Sequence, residues 1–194
     1  MQTALSDLIV GKHIICSCEG TAEKTVIELL MDSDKLCFNR KNLIDNECTT
    51  LRKAKDIANE YLTREYELEI VILRIIDREK DNFKIPSTYL LNRKVAFFDV
   101  VTKPEIEILH IIHYGLTKEF ERFCKRQKQK FNASSFCKSE LPLEHSLAKN
   151  IKSENSIRRI YENNIDGLVD TIKKYHRIMQ HNTYCLYDLI KKAA

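Results

Sequence analysis

Residues 68 to 76 read LEIVILRII and carry the strongest strand signal in the chain. The run is almost continuously apolar, which is typical of a central strand covered on both faces. Weaker strand signals occur at residues 12 to 18 (KHIICSC) and 95 to 101 (VAFFDVV), and helical patterns occur at residues 21 to 32 and 50 to 66. This alternation predicts an α/β fold with a mostly parallel sheet flanked by helices.

From residue 104 onward, the sequence pattern is helical throughout. The apolar spacing predicts helices at residues 104–114, 115–130, roughly 144–163, 165–180 and 183–192. The chain therefore divides into an α/β core, residues 1–103, and a C-terminal all-helical extension, residues 104–194, packed on that core. A chain of 194 residues with 43% hydrophobic residues is long enough to bury a core without disulfides.

The seven cysteines show no familiar pairing pattern, because their number is odd and no two are spaced as CxxC. Neither a zinc knuckle nor a secreted disulfide framework fits, so we expect reduced thiols in a cytosolic core. The N-terminus has no long apolar segment of the signal-peptide kind, and no apolar run approaches the roughly 18 residues of a membrane span. These features predict a cytoplasmic protein without a membrane anchor.

Acidic residues follow two of the predicted strands at their carboxyl ends. Glu19 follows the first strand, and Asp77, Glu79 and Asp81 follow the apolar run of residues 68–76. If these strands are parallel neighbours, the carboxylates meet at the sheet edge where open α/β proteins bind ligands. Mg²⁺ and Mn²⁺ prefer oxygen ligands and would offset the repulsion between the carboxylates. The alternative is a solvated loop, in which the intervening basic residues neutralise the acids as surface pairs.

This order of motifs resembles the Toprim fold, which topoisomerases, bacterial primases, OLD-family nucleases and small defence-associated nucleases share. The first motif is CEGTAEKT at residues 18–25, and the second is IIDREKD at residues 75–81. The chain has Asp-Arg-Glu in the second motif, where the family pattern has Asp-x-Asp. The resemblance implies that Glu19 acts as a metal ligand or as a general acid/base beside the metal. It also implies a catalytic metal site that includes Asp77 and Glu79.

A third motif, PEIEILHIIH at residues 104–113, is similar to the Pro-x-Phe-Glu-x-Trp-x-x-x-His signature that follows the Toprim core in RloB-like proteins. Pro104, Glu107 and His113 match its spacing, whereas aliphatic residues replace the two aromatic ones. The resemblance implies that Glu107 and His113 lie near the active site and belong to the catalytic set. A packing role on an apolar helix is the alternative for His113.

The turn after the first strand predicts a phosphate site. Gly20 would let the backbone turn sharply and approach a phosphate closely. Thr21 is the expected N-cap of the following helix, whose first backbone amides can hold an anion. Lys24 lies in the first helical turn and would either touch the phosphate or remain an exposed helix lysine.

The second half of the chain carries the basic excess behind the net charge of +4. Two helical segments contain most of the candidate phosphate-binding residues, which are Lys118, Arg122, Lys125, Arg126, Lys128, Lys130, Lys173, Lys174 and Arg177. Lysine and arginine on a helix can neutralise nucleic-acid phosphates, although such runs also occur as solvated faces. The charge pattern does not separate DNA from RNA.

We therefore expect a Mg²⁺- or Mn²⁺-dependent Toprim-type nuclease that cleaves DNA or RNA, with tRNA as one candidate. The resemblance to RloB-like proteins implies a role in prokaryotic anti-phage defence beside an ABC-type ATPase. That ATPase would be a partner protein, because the chain contains no GxxxxGK[ST] loop. A homo-oligomer remains open. The alternatives are a catalytically degenerate binding or regulatory subunit and a topoisomerase- or primase-like fragment, for which the chain is short.

Overall fold

Among the described residues, three parallel strands form the sheet in the order β1 (His13–Cys18), β2 (Ile70–Ile76) and β3 (Val95–Val101). They come from a computed structural model that describes residues 3–77, 82–90, 94–103, 105–127, 133–142, 149–178 and 183–192. Both strand pairs are parallel and in continuous register.

Eight α-helices flank this sheet within the described residues. They are α1 (Leu5–Ile9), α2 (Thr21–Asp32), α3 (Ala54–Tyr61), α4 (Ile108–His113), α5 (Thr117–Gln127), α6 (Ala133–Glu140), α7 (Glu154–Tyr161) and α8 (Ile165–Ile178). Short 3-10 turns occur at Arg40–Asn42, Ile44–Asn46, Ser87–Tyr89 and Leu186–Leu189. The predicted α/β fold with a parallel sheet flanked by helices is confirmed.

The central strand β2 is buried along its whole length, because helices cover both faces of the sheet. On one face, Ile70 and Ile72 pack with Ile57 and Ala58 of α3. On the other face, Leu73 and its neighbours belong to a larger apolar cluster that extends from Leu5 to Ile190. The continuous apolar run in the sequence reflects this double burial.

The helices that follow β3 share this larger cluster with the strands. Helix α5 packs against α6 through Phe120 and Phe123, whose ring centres lie 5.3 and 5.4 Å from that of Phe136 in α6. Helix α6 itself was not separately expected from the sequence. Within the described residues, no helix has the combined length and apolar character needed to cross a membrane.

The last predicted helix, at residues 183–192, is a 3-10 turn between extended segments. The carbonyl of Tyr184 accepts a hydrogen bond from the Val101 amide of β3 at 2.8 Å, and the Lys191 amide donates to the carbonyl of Lys35 at 2.8 Å. These partners satisfy backbone groups that a helix would pair internally. The Tyr184 hydroxyl also donates to the carbonyl of Thr3 at 2.8 Å, which joins this segment to the N-terminal region.

His110 supplies a test of the packing, because its imidazole is buried on α4. Its Nδ1 lies 3.0 Å from the Tyr161 hydroxyl, and the two rings stack. Burial, together with the nearby charge of His113, lowers the pKa of His110 from 6.5 to about 3. The imidazole of His110 is therefore neutral in the folded protein at pH values above about 3.

Acidification below pH 6.5 should destabilise the protein through His110. In the unfolded chain, His110 is protonated as the pH falls below 6.5, whereas in the folded protein it stays neutral down to about pH 3. This single proton costs at most about 1.4 kcal/mol of unfolding free energy per pH unit. In urea unfolding between pH 7 and about pH 5, His110→Gln should lose less stability than wild type. Parallel losses in the two proteins would contradict this assignment.

Candidate active site

Glu19 and Asp77 meet at the carboxyl edge of the sheet, at the ends of the neighbouring strands β1 and β2. The backbone amide of Asp77 donates a hydrogen bond to Glu19 Oε2 at 2.8 Å, and the Glu19 amide donates to the carbonyl of Ile75 at 2.9 Å. The parallel pairing of β1 and β2 brings the two residues together, as the sequence order suggested.

A cleft of about 690 Å³ opens at this edge, and both acidic residues line it. Its cationic lining comes from Arg52 and Lys53 just before α3 and from Arg74 of β2. Arg52 Nη1 lies 3.8 Å from Glu19 Oε1. Among the described residues, the cleft therefore combines two carboxylates with three cations. This arrangement suits an anionic substrate that binds next to carboxylates.

Arg74 is a buried arginine within the apolar strand β2. The register places Ser17, Arg74 and Asp99 in one row across the three strands. Arg74 Nη1 lies 3.5 Å from Asp99 Oδ1, and the guanidinium carbon lies 4.0 Å from the centre of the Phe83 ring. These contacts hold a charge that would otherwise be costly to bury, and they fix its position at the cleft.

Gly20 differs from the sequence expectation in its backbone conformation. It has φ −154° and ψ −174°, which is extended backbone and no sharp turn, and it occupies the N-cap position of α2 expected for Thr21. Thr21 is instead the first helical residue. A Cβ at position 20 would lie 3.2 Å from Glu23 Oε2, so glycine leaves room for this carboxylate.

Glu23 brings another carboxylate close to the strand end. It is buried on α2, and burial raises its pKa above 4.5. A hydrogen bond from its own backbone amide and the charge of Lys152 oppose this shift, whereas the negative charges of Glu19 and Glu107 add to it. Glu19, Glu23 and Glu107 thus form one electrostatically linked acidic group.

Glu107 is fully buried just before α4, and its carboxylate pairs with Lys152. Glu107 Oε1 lies 2.9 Å from Lys152 Nζ, whereas Oε2 has no hydrogen-bond partner among the described residues. Lys152 is half exposed, so the lysine reaches inward from the surface to neutralise a buried acid. The sequence pattern gave no signal for Lys152.

His113 is packed among aromatic rings. Its ring lies 5.1 Å from those of Tyr114 and Tyr161, and burial, with the charge of Lys174, lowers its pKa. Among the described residues that line the cleft at Glu19, His113 is absent. The structure brings Glu107 into the acidic group but gives His113 no described contact with it.

A second cleft, of about 490 Å³, lies where the first residues of α2, α6 and α7 come together. Thr21 and Ser134 line it, together with the cationic residues Lys138, Lys149 and Lys152. Helix N-termini carry partial positive charge, and the lysines add to it. Lys152 connects this basic cleft to the acidic group through Glu107.

Most of the predicted nucleic-acid-binding residues lie on the surface of α5 and α8. Lys118, Arg122, Lys125, Arg126, Lys174 and Arg177 are exposed. Lys173 pairs with Asp170 at 3.3 Å, and Lys24 lies 3.8 Å from Glu28. Five other predicted or motif residues lie outside the described part of the chain, namely Glu79, Asp81, Pro104, Lys128 and Lys130.

The described carboxylates do not form a compact cage for a metal ion. Among the described residues, the one group of three possible ligands within 4.8 Å of one another is Cys16, Cys18 and Cys48. Glu19 and Asp77 nevertheless fit Mg²⁺ or Mn²⁺ in ligand type, because Mg²⁺ is commonly held by one or two carboxylates and several waters.

Sequence reasoning missed Arg74, Asp99 and the Cys48 thiol. Arg74 and Asp99 had a usable signal, because each is the single charged residue within an apolar strand. Cys48 had no such signal, since it lies in a segment without regular periodicity.

Comparisons with protein-family models, with curated proteins and with solved structures found no match for this chain.

Lys152→Ala should destabilise the protein more than Glu107→Gln does. The first change leaves the buried Glu107 carboxylate without its cation, at a cost of roughly 1–3 kcal/mol. The second removes the buried charge and leaves a lysine that water can solvate. Urea unfolding at neutral pH measures both. Equal or reversed losses would show that Lys152 does not neutralise Glu107.

Glu23→Gln should raise the thermal unfolding midpoint at pH 7. The raised pKa means that ionised Glu23 costs stability, and this cost is fully present above the folded-state pKa. It disappears below the ordinary value of 4.5, where folded and unfolded chains are both protonated. The gain over wild type should therefore shrink as the pH falls to about 4. A gain that is independent of pH would contradict this reading.

Proposed function

We propose that this chain is a metal-dependent nuclease that hydrolyses phosphodiester bonds in DNA or RNA. The observation that carries the proposal is the hydrogen bond between the Asp77 amide and Glu19 Oε2, which holds two acidic residues together at a cation-lined cleft. Carboxylates beside cations at the carboxyl ends of parallel strands suit a site for phosphoryl chemistry.

The cations of the cleft would bind and orient the phosphate. Arg74 is the best placed for this role, because its contacts with Asp99 and Phe83 fix its guanidinium before any substrate arrives. Arg52 and Lys53 are exposed and would complete the clamp at the cleft opening. A planar guanidinium can form two parallel hydrogen bonds to a phosphate.

Glu19 and Asp77 are the described residues that would hold Mg²⁺ or Mn²⁺, with Glu79 and Asp81 as further candidate ligands. When bound, such an ion lowers the pKa of a water nucleophile and offsets charge on the leaving oxygen. Glu19 would orient the attacking water, because its Oε2 is fixed by the Asp77 amide while Oε1 faces Arg52. The negative charge of Glu23, which interacts with that of Glu19, would add to the attraction for a cation.

The basic surfaces would hold the rest of the polymer. The exposed lysines and arginines of α5 and α8 and the second cleft at Thr21 supply positive charge beyond the reacting phosphate. Contacts of this kind make binding salt-dependent and independent of base sequence. The resemblance to RloB-like proteins extends the proposal to a cytoplasmic, prokaryotic anti-phage role with an ABC-type ATPase as partner.

A second candidate is a binding or regulatory subunit in which this site is catalytically inactive. It is favoured by the absence of any carboxylate trio within 4.8 Å among the described residues. Glu19 is also already engaged by the Asp77 amide and approached by Arg52. In this case the cleft would bind a phosphate group without cleaving it.

The nuclease proposal is tested by cleavage of end-labelled DNA, bulk RNA and tRNA with Mg²⁺ or Mn²⁺. Wild type should cut at least one of them, and Glu19→Gln and Asp77→Asn should each lower the rate by about 100-fold or more. Arg74→Met should lower it by roughly 10- to 100-fold, the value of a lost charge-assisted hydrogen bond.

Glu67→Gln is the matched control, because Glu67 is exposed near the opposite end of β2 and undergoes the same chemical change as Glu19→Gln. It should cut like wild type. Cutting that is indifferent to both Glu19 and Asp77 would reject the site. No cutting by wild type, with retained binding that Arg74→Met weakens, would favour the regulatory subunit.

A further inference from the structure

Three buried thiols form a cluster on the opposite side of β1 from the cleft. Cys16 and Cys18 project from the same face of β1. The segment that contains Cys48 is joined to β1 by backbone hydrogen bonds. The Cys18 amide donates to the Thr49 carbonyl at 2.8 Å, and the Thr49 amide donates to the Cys16 carbonyl at 2.9 Å. All three sulfurs lie within 4.8 Å of one another and are at most 1% exposed.

Hydrogen bonds link the thiols of Cys16, Cys18 and Cys48 to one another, and the positive charges of Lys24 and Arg40 act on Cys48.

The spacing of the sulfurs suits a metal centre. Three sulfurs bonded at about 2.3 Å to a central ion lie about 3.8–4.0 Å apart, so small side-chain rotations would close the present cluster onto an ion. Thiolates select soft ions such as Zn²⁺ and Cu⁺ over Mg²⁺. Among the described residues, no histidine or carboxylate joins the group as a fourth ligand.

We propose that Cys16, Cys18 and Cys48 bind one thiophilic metal ion, Zn²⁺ or Cu⁺, in a site separate from the cleft. The ion would tie the Cys48 segment to β1 directly before Glu19, and so hold the carboxyl end of that strand. The positive charges of Lys24 and Arg40 offset part of the negative charge of the three thiolates. This proposal does not depend on nuclease activity.

The test is metal content after reconstitution of the full chain. Metal-free, reduced protein is incubated with Zn²⁺, or with Cu⁺ under anaerobic conditions, and passed through a desalting column before elemental analysis. Wild type should retain about one ion per chain, and Cys48→Ser should retain at least about 10-fold less, because a thiolate ligand has been lost. Cys37→Ser, a half-buried cysteine outside the cluster, is the matched control and should bind like wild type.

A second readout guards against a variant that fails to fold. Cd²⁺ added to wild type and to Cys37→Ser should produce an ultraviolet thiolate-to-metal charge-transfer band and raise the thermal midpoint, because the ion binds only the folded state. Wild type that retains no metal and shows no band would overturn the proposal. Equal retention by a folded Cys48→Ser protein would overturn it as well.

Discussion

Burial of β2 on both faces is the constraint on which the rest of the structure depends. A strand at the centre of a parallel sheet pairs its backbone with neighbours on each side, so its side chains need apolar cover above and below. Each buried aliphatic side chain contributes about 1.5–3 kcal/mol when that cover is present. Helix α3 covers one face of the strand. The helices that contribute side chains to the larger apolar cluster cover the other face. The carboxyl ends of the strands are then the places left for polar chemistry.

The apolar cover ends at the row formed by Ser17, Arg74 and Asp99. Burying a guanidinium is expensive, and a hydrophobic residue of similar size would be at least as stable there. The chain accepts this cost beside the two acidic residues of the cleft. Local departures from the packing rule of this kind concentrate at functional sites, where geometry matters more than stability. The same applies to Glu23 and Glu107, which are buried acids that lie close enough to repel each other.

The parts that the sequence predicted are those governed by local pattern and chain order. Residues 70–76 form a strand because the run is apolar, and Glu19 meets Asp77 because parallel strands end at one edge. The failures arise where distant contacts override local pattern. Residues 183–192 have helical spacing, yet β3 and the segment at Lys35 pair with their backbone. Cys48 lies next to Cys16 because backbone hydrogen bonds join β1 to the segment at Thr49. That segment has no periodic pattern, so periodicity carries no information about this contact.

The hydrogen bond between Tyr184 and Thr3 has a consequence for biosynthesis. The larger apolar cluster contains both Leu5 and Ile190, so it cannot be completed until both segments have left the ribosome. Contacts between residues so far apart in sequence slow folding, because a large loop must close before they form. The sheet edge that carries Glu19 and Asp77 is built on that same cluster. The nascent chain would therefore acquire its finished site only after the segment at Ile190 has been synthesised and has left the ribosome.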